Sequence, residues 1–176
     1  MNNVFKFALR EDLVGREEFL PTRKHSTDTG WDVSCAKETR ISALEKVAIP
    51  LGFRAFCPEG WWFELKPRSS AFGKKSLHAL YGTIDETYEG ELIFACRYIP
   101  AVANIPDERG FDSFESWEDY CSKSISIEFG ERIGQIIPVQ RQSIVVESVS
   151  NEEFDKLCAE RNAARGAGGF GSTGDK

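Results

Sequence analysis

Only two histidines occur in the 176 residues, His25 and His78, and no pair of the five cysteines forms a C-x-x-C. That leaves no ligand set for a zinc site. The cysteines (Cys35, Cys57, Cys96, Cys121, Cys158) are odd in number and far apart, so they read as reduced thiols of a cytosol-like compartment rather than a disulfide frame. No apolar run approaches the ~20 residues that span a bilayer, and the opening MNNVFKFALRED breaks its apolar residues with charge, so no signal peptide is evident. The expectation is a soluble, cytoplasmic protein that makes no membrane contact. A basic excess is also missing. The net charge is −6, which argues against a general nucleic-acid binder while leaving room for a small polyanion held by a few cations.

What is present is strand. VFKFAL, KVAIPLGFRAF, GWWFELKPR, GELIFACRYI, SISIEF, RIGQIIPV and SIVVESV are short, rich in Val, Ile and Phe, and separated by Gly and Pro. That is the pattern of an all-β sandwich or barrel. Two helices interrupt it. Ser150-Asn-Glu-Glu153 is a capping box ahead of Phe154, Leu157 and Cys158. Residues 112–121 set Phe114, Trp117 and Cys121 on one helical face.

That second helix lies in a segment of about residues 100–123, read as an insertion in the β scaffold. Its residues 107–119 hold six acids (Asp107, Glu108, Asp112, Glu115, Glu118, Asp119) against Arg109 alone, and so account for −5 of the −6. Phe111, Phe114, Trp117 and Tyr120 there could cover a small core of the insertion or face a protein partner. The last twelve residues, RGAGGFGSTGDK, are an arm (165–176) joined to a domain of residues 1–164. Glycines allow close backbone approach to phosphate oxygens, Arg165 adds a fork of donors, and Phe170 can stack on a base. The arm is no Walker A loop, because no Lys follows the last Gly before a Ser or Thr.

Five separated segments resemble, in order, the motifs of the trimeric dUTP pyrophosphatases (dUTPases). They are Thr29-Gly-Trp-Asp-Val33, Pro67-Arg-Ser-Ser70, Gly82-Thr-Ile-Asp-Glu-Thr-Tyr-Glu-Gly-Glu91, Gly130-Glu-Arg-Ile-Gly-Gln135 and the glycine-rich arm. Phage and viral members often carry variable insertions, so a phage-type member acting in the host cytoplasm fits the pattern. The resemblance implies a jelly-roll β subunit, a homotrimer with shared active sites, and Mg²⁺-dependent hydrolysis of dUTP to dUMP and pyrophosphate.

On that resemblance Asp85 activates the water that attacks the α-phosphorus, and Asp32 binds Mg²⁺ through water. Arg68, Ser69, Ser70 and Gln135 contact phosphates. The backbone from Ala79 to Ile84, with Gly82 and Thr83, reads uracil, and Tyr88 packs on the deoxyribose so that a 2′-hydroxyl is excluded. In the arm, Arg165 meets the γ-phosphate, Phe170 stacks over uracil, and Gly171, Ser172 and Thr173 contact phosphates. Some positions depart from the family: Ala79 stands where Asn is common, Ser70 where many members have Gly, Gly134 where Ala is usual, and Trp31 where Tyr is usual. The nearest alternative is a dCTP deaminase, which shares the P-R-S-S-like turn but needs a glutamate a few residues beyond Gly90. Glu91-Leu-Ile-Phe-Ala95 has none at that place. Another alternative is a dUTPase scaffold with a regulatory protein-binding role at the insertion.

Overall fold

The computed structural model describes residues 4–102, 104–106, 112–114 and 116–161, without the side chains of 104–106 and 112–114. Thirteen strands are described: β1 (Lys6–Leu9), β2 (Trp31–Ser34), β3 (Thr39–Ser42), β4 (Lys46–Pro50), β5 (Phe53–Phe56), β6 (Trp61–Pro67), β7 (Leu77–Ala79), β8 (Gly82–Ile84), β9 (Ile93–Tyr98), β10 (Asn104–Pro106), β11 (Asp112–Phe114), β12 (Ser124–Ile127) and β13 (Arg132–Gln140). Helices α1 (Ser69–Lys75), α2 (Trp117–Ser122) and α3 (Asn151–Arg161) accompany them. The pairings are antiparallel and form sheets β2-β13-β6-β8, β4-β9-β7, β12-β3, β1-β5 and β10-β11. The fold is all-β, of jelly-roll type.

Alternation decides which face of each strand goes inward. In β6, Phe63 and Leu65 are buried while Glu64 and Lys66 face outward and pair with each other at 2.6 Å. Val33, Ile41, Ile49, Phe53, Phe94, Ile127, Ile133 and Ile136 join them in one core drawn from most of the strands. Each such side chain contributes roughly 1.5–3 kcal/mol on burial. A smaller cluster of Leu13, Phe19 and Ala36 seals one side.

The contacts divide the chain into residues 1–142 and 143–176. In the second unit, α3 begins where the capping box places it, with the Glu153 N–H donating to Ser150 Oγ at 3.1 Å. Two expectations are corrected. SIVVESV forms no strand, and Ile144, Val145 and Val146 are 75%, 91% and 92% exposed. Apolar content alone does not make a strand, because a ladder needs a neighbouring edge at that register. The helix expected over 112–121 is instead β11 followed by α2, which starts after Ser116, whose Oγ accepts from the Asp119 N–H at 3.1 Å. The cap outweighs the apolar spacing that placed the start earlier. Helix α1 and strands β2 and β3 were not foreseen. No helix among the described residues is long and apolar enough to cross a membrane.

Cys35, Cys57 and Cys96 are buried, and Cys121 and Cys158 are exposed. Burial pushes the Cys57 and Cys96 thiols up to about 11 and raises that of Cys35. Since the thiolate is the reactive form, native protein at pH 8 is expected to take up iodoacetamide quickly at Cys121 and Cys158 only. Peptide mapping after a short pulse checks this; fast labelling of Cys96 would contradict the packing described.

Candidate active site

Strand β13 is the longest and has neighbours on both sides: Gln135 lies opposite Asp32 of β2 and opposite Lys66 of β6. Facing residues of an antiparallel ladder share a face, so the Gln135 amide reaches Asp32 and donates to Oδ1 at 3.0 Å. A register shift between Arg132 and Gly134 adds a bulge at this point. In a regular strand, Arg132 and Gln135 would point to opposite faces, being an odd number of residues apart. The bulge turns Arg132 to the same carboxylate, with Nη1 3.4 Å from Asp32 Oδ2.

Arg68 completes the group. It stands just past β6 as the residue before α1, its backbone N–H donates to the Ile133 carbonyl at 3.1 Å, and its Nε lies 3.3 Å from Asp32 Oδ1. Two guanidinium groups and one amide therefore surround a carboxylate whose side chain is 15% exposed. Here are three of the residues singled out in the sequence, from the first, second and fourth motifs. Arg132 was missed, although it stands inside Gly130-Glu-Arg-Ile-Gly-Gln135, because period-two reading puts it on the wrong face. Ser69 and Ser70 open α1 instead of a free turn. That helix is tied down by Lys75, whose Nζ sits 2.9 Å from Glu131 and donates to the Ser126 carbonyl at 3.1 Å.

The remaining described residues form a second group. Ala79 ends β7 and Gly82–Ile84 is β8, but the two strands do not pair with each other. β7 is the edge of the β4-β9-β7 sheet and β8 the edge of β2-β13-β6-β8. What the sequence suggested as one hairpin is a corner between two sheets, with Leu80 and Tyr81 exposed at it. Each edge strand keeps backbone N–H and C=O groups on its open side. Asp85 follows β8, exposed, and its side chain has no hydrogen-bond or ion-pair partner among the described residues. A cavity of about 350 Å³ opens beside it, lined by Trp61, Trp62, Thr83, Glu86, Thr87 and Arg141. Tyr88 closes a turn by donating its backbone N–H to the Asp85 carbonyl at 3.0 Å, and its hydroxyl donates to the Glu91 carbonyl at 3.0 Å. Any side chain at Gly90 would collide with that hydroxyl.

The two groups are far apart. β8 runs along β6 with Gly82 opposite Leu65 and Ile84 opposite Phe63, which brings Asp85 level with Trp62, six residues before Arg68. At ~3.3 Å per residue the separation is about 20 Å. Arg165, Phe170, Gly171, Ser172 and Thr173 lie outside the described residues.

No family model matches the chain. Individual relatives do. Over 173 residues, 96% of this chain and 95% of the relative, it is 33% identical to the deoxyuridine 5′-triphosphate nucleotidohydrolase of Hydrogenobaculum sp.. Over 155 residues, 88% of this chain and 75% of the relative, it is 31% identical to that of Solanum lycopersicum. The chain belongs to the dUTPase family, the dUTP diphosphatases. Among solved structures, the Staphylococcus bacteriophage 80alpha dUTPase with dUpNHpp superposes with a TM-score of 0.73 at 26% identity, covering 99% of this chain and all of that one. A 26% identical structure of the same phage enzyme, TM-score 0.72 over 99% of this chain and all of that one, is described with phage dUTPases controlling transfer of virulence genes by a G protein-like mechanism. The phage phi11 dUTPase shares the fold, with a TM-score of 0.64 at 23% identity over 85% of this chain and 98% of that one, and is described with a structural Mg(II) ion.

The dUTPase's Gly134 sits at the bulge, where an added Cβ would lie 3.1 Å from the Phe94 ring, 3.2 Å from the Lys66 carbonyl and 3.2 Å from Val33. Gly134→Val is expected to lower stability by about 1–3 kcal/mol through overpacking. A urea melt checks this; an unchanged midpoint would show that the bulge has slack.

Proposed function

We propose that this dUTPase hydrolyses Mg²⁺-bound dUTP at the α-phosphorus, with Asp85 orienting the attacking water, in sites assembled between the copies of a homotrimer. The observation that carries this is the contrast between two aspartates. Asp32 is enclosed by Arg68, Arg132 and Gln135, whereas Asp85 presents a carboxylate with no partner to a cavity large enough for water and substrate.

The roles follow from these surroundings. Asp85 accepts a proton from the water as its oxygen bonds to phosphorus. The bond from that phosphorus to the bridging oxygen breaks, and the electron pair leaves with pyrophosphate. Arg68 and Arg132, already gathered at one carboxylate, meet the phosphates with forked donors, and Gln135 adds an amide. Mg²⁺, when bound, withdraws charge from the phosphates and favours departure of the pyrophosphate. No cluster of three His, Cys, Asp or Glu residues able to hold a metal is found among the described residues. Asp32 is a lone carboxylate, a donor set suited to an ion that keeps its waters and takes its other ligands from a triphosphate.

The open edges of β7 and β8 offer backbone donors and acceptors to uracil. Cytosine, with the reverse pattern, would leave buried groups unpaired at about 1–3 kcal/mol each. Tyr88, packed against Gly90 with its hydroxyl tied to Glu91, is held as a wall against a 2′-hydroxyl. The arm would add Arg165, Phe170 and the Gly171–Thr173 backbone over the bound nucleotide.

The trimer is supported by the ~20 Å separation within one chain. A nucleotide whose α-phosphorus is in reach of Asp85 cannot lay its phosphates on Arg68 of the same chain, so the second group has to come from another copy. Ile137, Val139 and Trp62, half-buried on the outward face of β13 and β6, supply apolar surface for such contact. A protein-binding role at segment 100–123 is favoured by Trp117, 67% exposed and stacked on Tyr120 at 5.6 Å, and by the regulatory role described for the phage 80alpha enzyme.

Pyrophosphate release from dUTP is expected to need Mg²⁺ and to fall about 10²–10⁴-fold in Asp85→Asn; full turnover in that variant would remove Asp85 from the mechanism. Co-folding Asp85→Asn with Arg68→Ala chains is expected to restore about a quarter of wild-type activity from two inactive parents, as random mixing in a closed ring of shared sites requires. No recovery would count against sites shared in this way.

A further inference from the structure

Residues 85–91 connect the end of β8 to Leu92, which is fully buried, and none of their seven side chains enters the core. A loop without apolar anchors sits at the low end of local stability. Two carboxylates fasten it. Glu86 Oε2 accepts from the Gly60 N–H at 3.0 Å and lies 3.4 Å from Arg141 Nη1. Glu91 Oε1 accepts from the Gly52 N–H at 2.8 Å and lies 3.0 Å from Arg10 Nη1.

The two fastenings have the same construction, each using a turn glycine at φ +79° and a guanidinium. Gly52 precedes β5 and Gly60 follows it, so the loop is tied at both ends of that strand. Arg141 also donates its backbone N–H to the Gly60 carbonyl at 2.7 Å, which joins the Glu86 anchor to the end of β13. Asp85 stands next to one clamp, and Tyr88 bonds both to Asp85 and to Glu91.

We propose that Glu86 and Glu91 are positioning residues that hold the loop carrying Asp85 and Tyr88 in its working geometry; the proposal rests on the reading of those two residues given above. A shift of about 1 Å at a reacting group costs on the order of a hundredfold in rate. The clamps therefore act on turnover more than on substrate affinity.

The test combines dUTP kinetics, thermal melting and hydrogen exchange of residues 85–91 in Glu86→Ala, Glu86→Gln and Arg141→Ala. Glu86→Ala is expected to lower kcat about 10–100-fold with a smaller change in KM, and to speed exchange in the loop while the rest of the chain exchanges as before. Glu86→Gln keeps an acceptor for the Gly60 N–H and is expected to recover part of the loss. Arg141→Ala, removing a largely exposed side chain, is expected to give a smaller loss that does not add to that of Glu86→Ala. Unchanged kcat in Glu86→Ala, a glutamine variant no better than alanine, or a kcat loss that follows melting without faster exchange at 85–91 would each overturn the proposal. Should Glu86→Ala fail to fold, the same readouts in Arg141→Ala decide. The exchange result does not depend on Asp85 chemistry, so full turnover in Asp85→Asn would refute the water-activation reading and leave the clamp to be judged by exchange alone.

Discussion

The two-sided pairing of β13 is the constraint on which the rest of the molecule depends. Nine residues bond to β2 along one edge and to β6 along the other, and through those ladders three motifs separated by up to a hundred residues arrive at one carboxylate. The geometry leaves little freedom. With Gln135 opposite both Asp32 and Lys66, a one-residue slip would reverse every face and send Ile136 to solvent. Core burial thus fixes the phosphate-facing group as a by-product: what holds Ile133 and Ile136 inside holds Gln135 outside. Pro138 lies beyond the end of β2, where β13 is an edge on that side and a missing N–H is tolerated.

The face assignments of β6 and β13 were legible because alternating burial leaves a period-two trace in the sequence. The motifs pointed to Asp32, Arg68 and Gln135, and those three do meet. Arg132 was hidden by the bulge, a backbone irregularity that no side-chain pattern announces. The corner at Leu80–Tyr81 was hidden for a related reason. A short connection between two short strands reads as a hairpin whether the strands pair with each other or with two different sheets, and only the tertiary arrangement distinguishes these. The strand expected at 143–149 marks the opposite limit, a sound local pattern without an edge to complete it.

The charge balance also changes meaning once the groups are placed. Most of the net −6 belongs to residues 107–119, so the phosphate-facing group is locally cationic around a single acid. Two guanidiniums held at one carboxylate before substrate arrives have already met much of the cost of being ordered together, and a triphosphate can share them without a large rearrangement. Lone surface arginines would have to be recruited at about 1.5–2 kcal/mol of side-chain entropy each.

A sheet that gathers one half of a site so firmly must keep the other half away. Strand spacing is ~4.8 Å and rise ~3.3 Å, and β8 joins the sheet at its far edge and offset along β6. No side-chain rotamer closes a gap of about 20 Å. The rigidity that preorganises Asp32, Arg68, Arg132 and Gln135 therefore makes a single chain an incomplete enzyme on the proposed reading, and it moves the task of closing the gap from conformational change to symmetry. Rotation of identical copies about an axis sets one chain's Asp85 beside another's Arg68 without straining either, and repeats the arrangement for every copy. It also explains why the loop bearing Asp85 needs fastening of its own: its target lies on a different molecule, so nothing within the chain's own phosphate group can hold it in place.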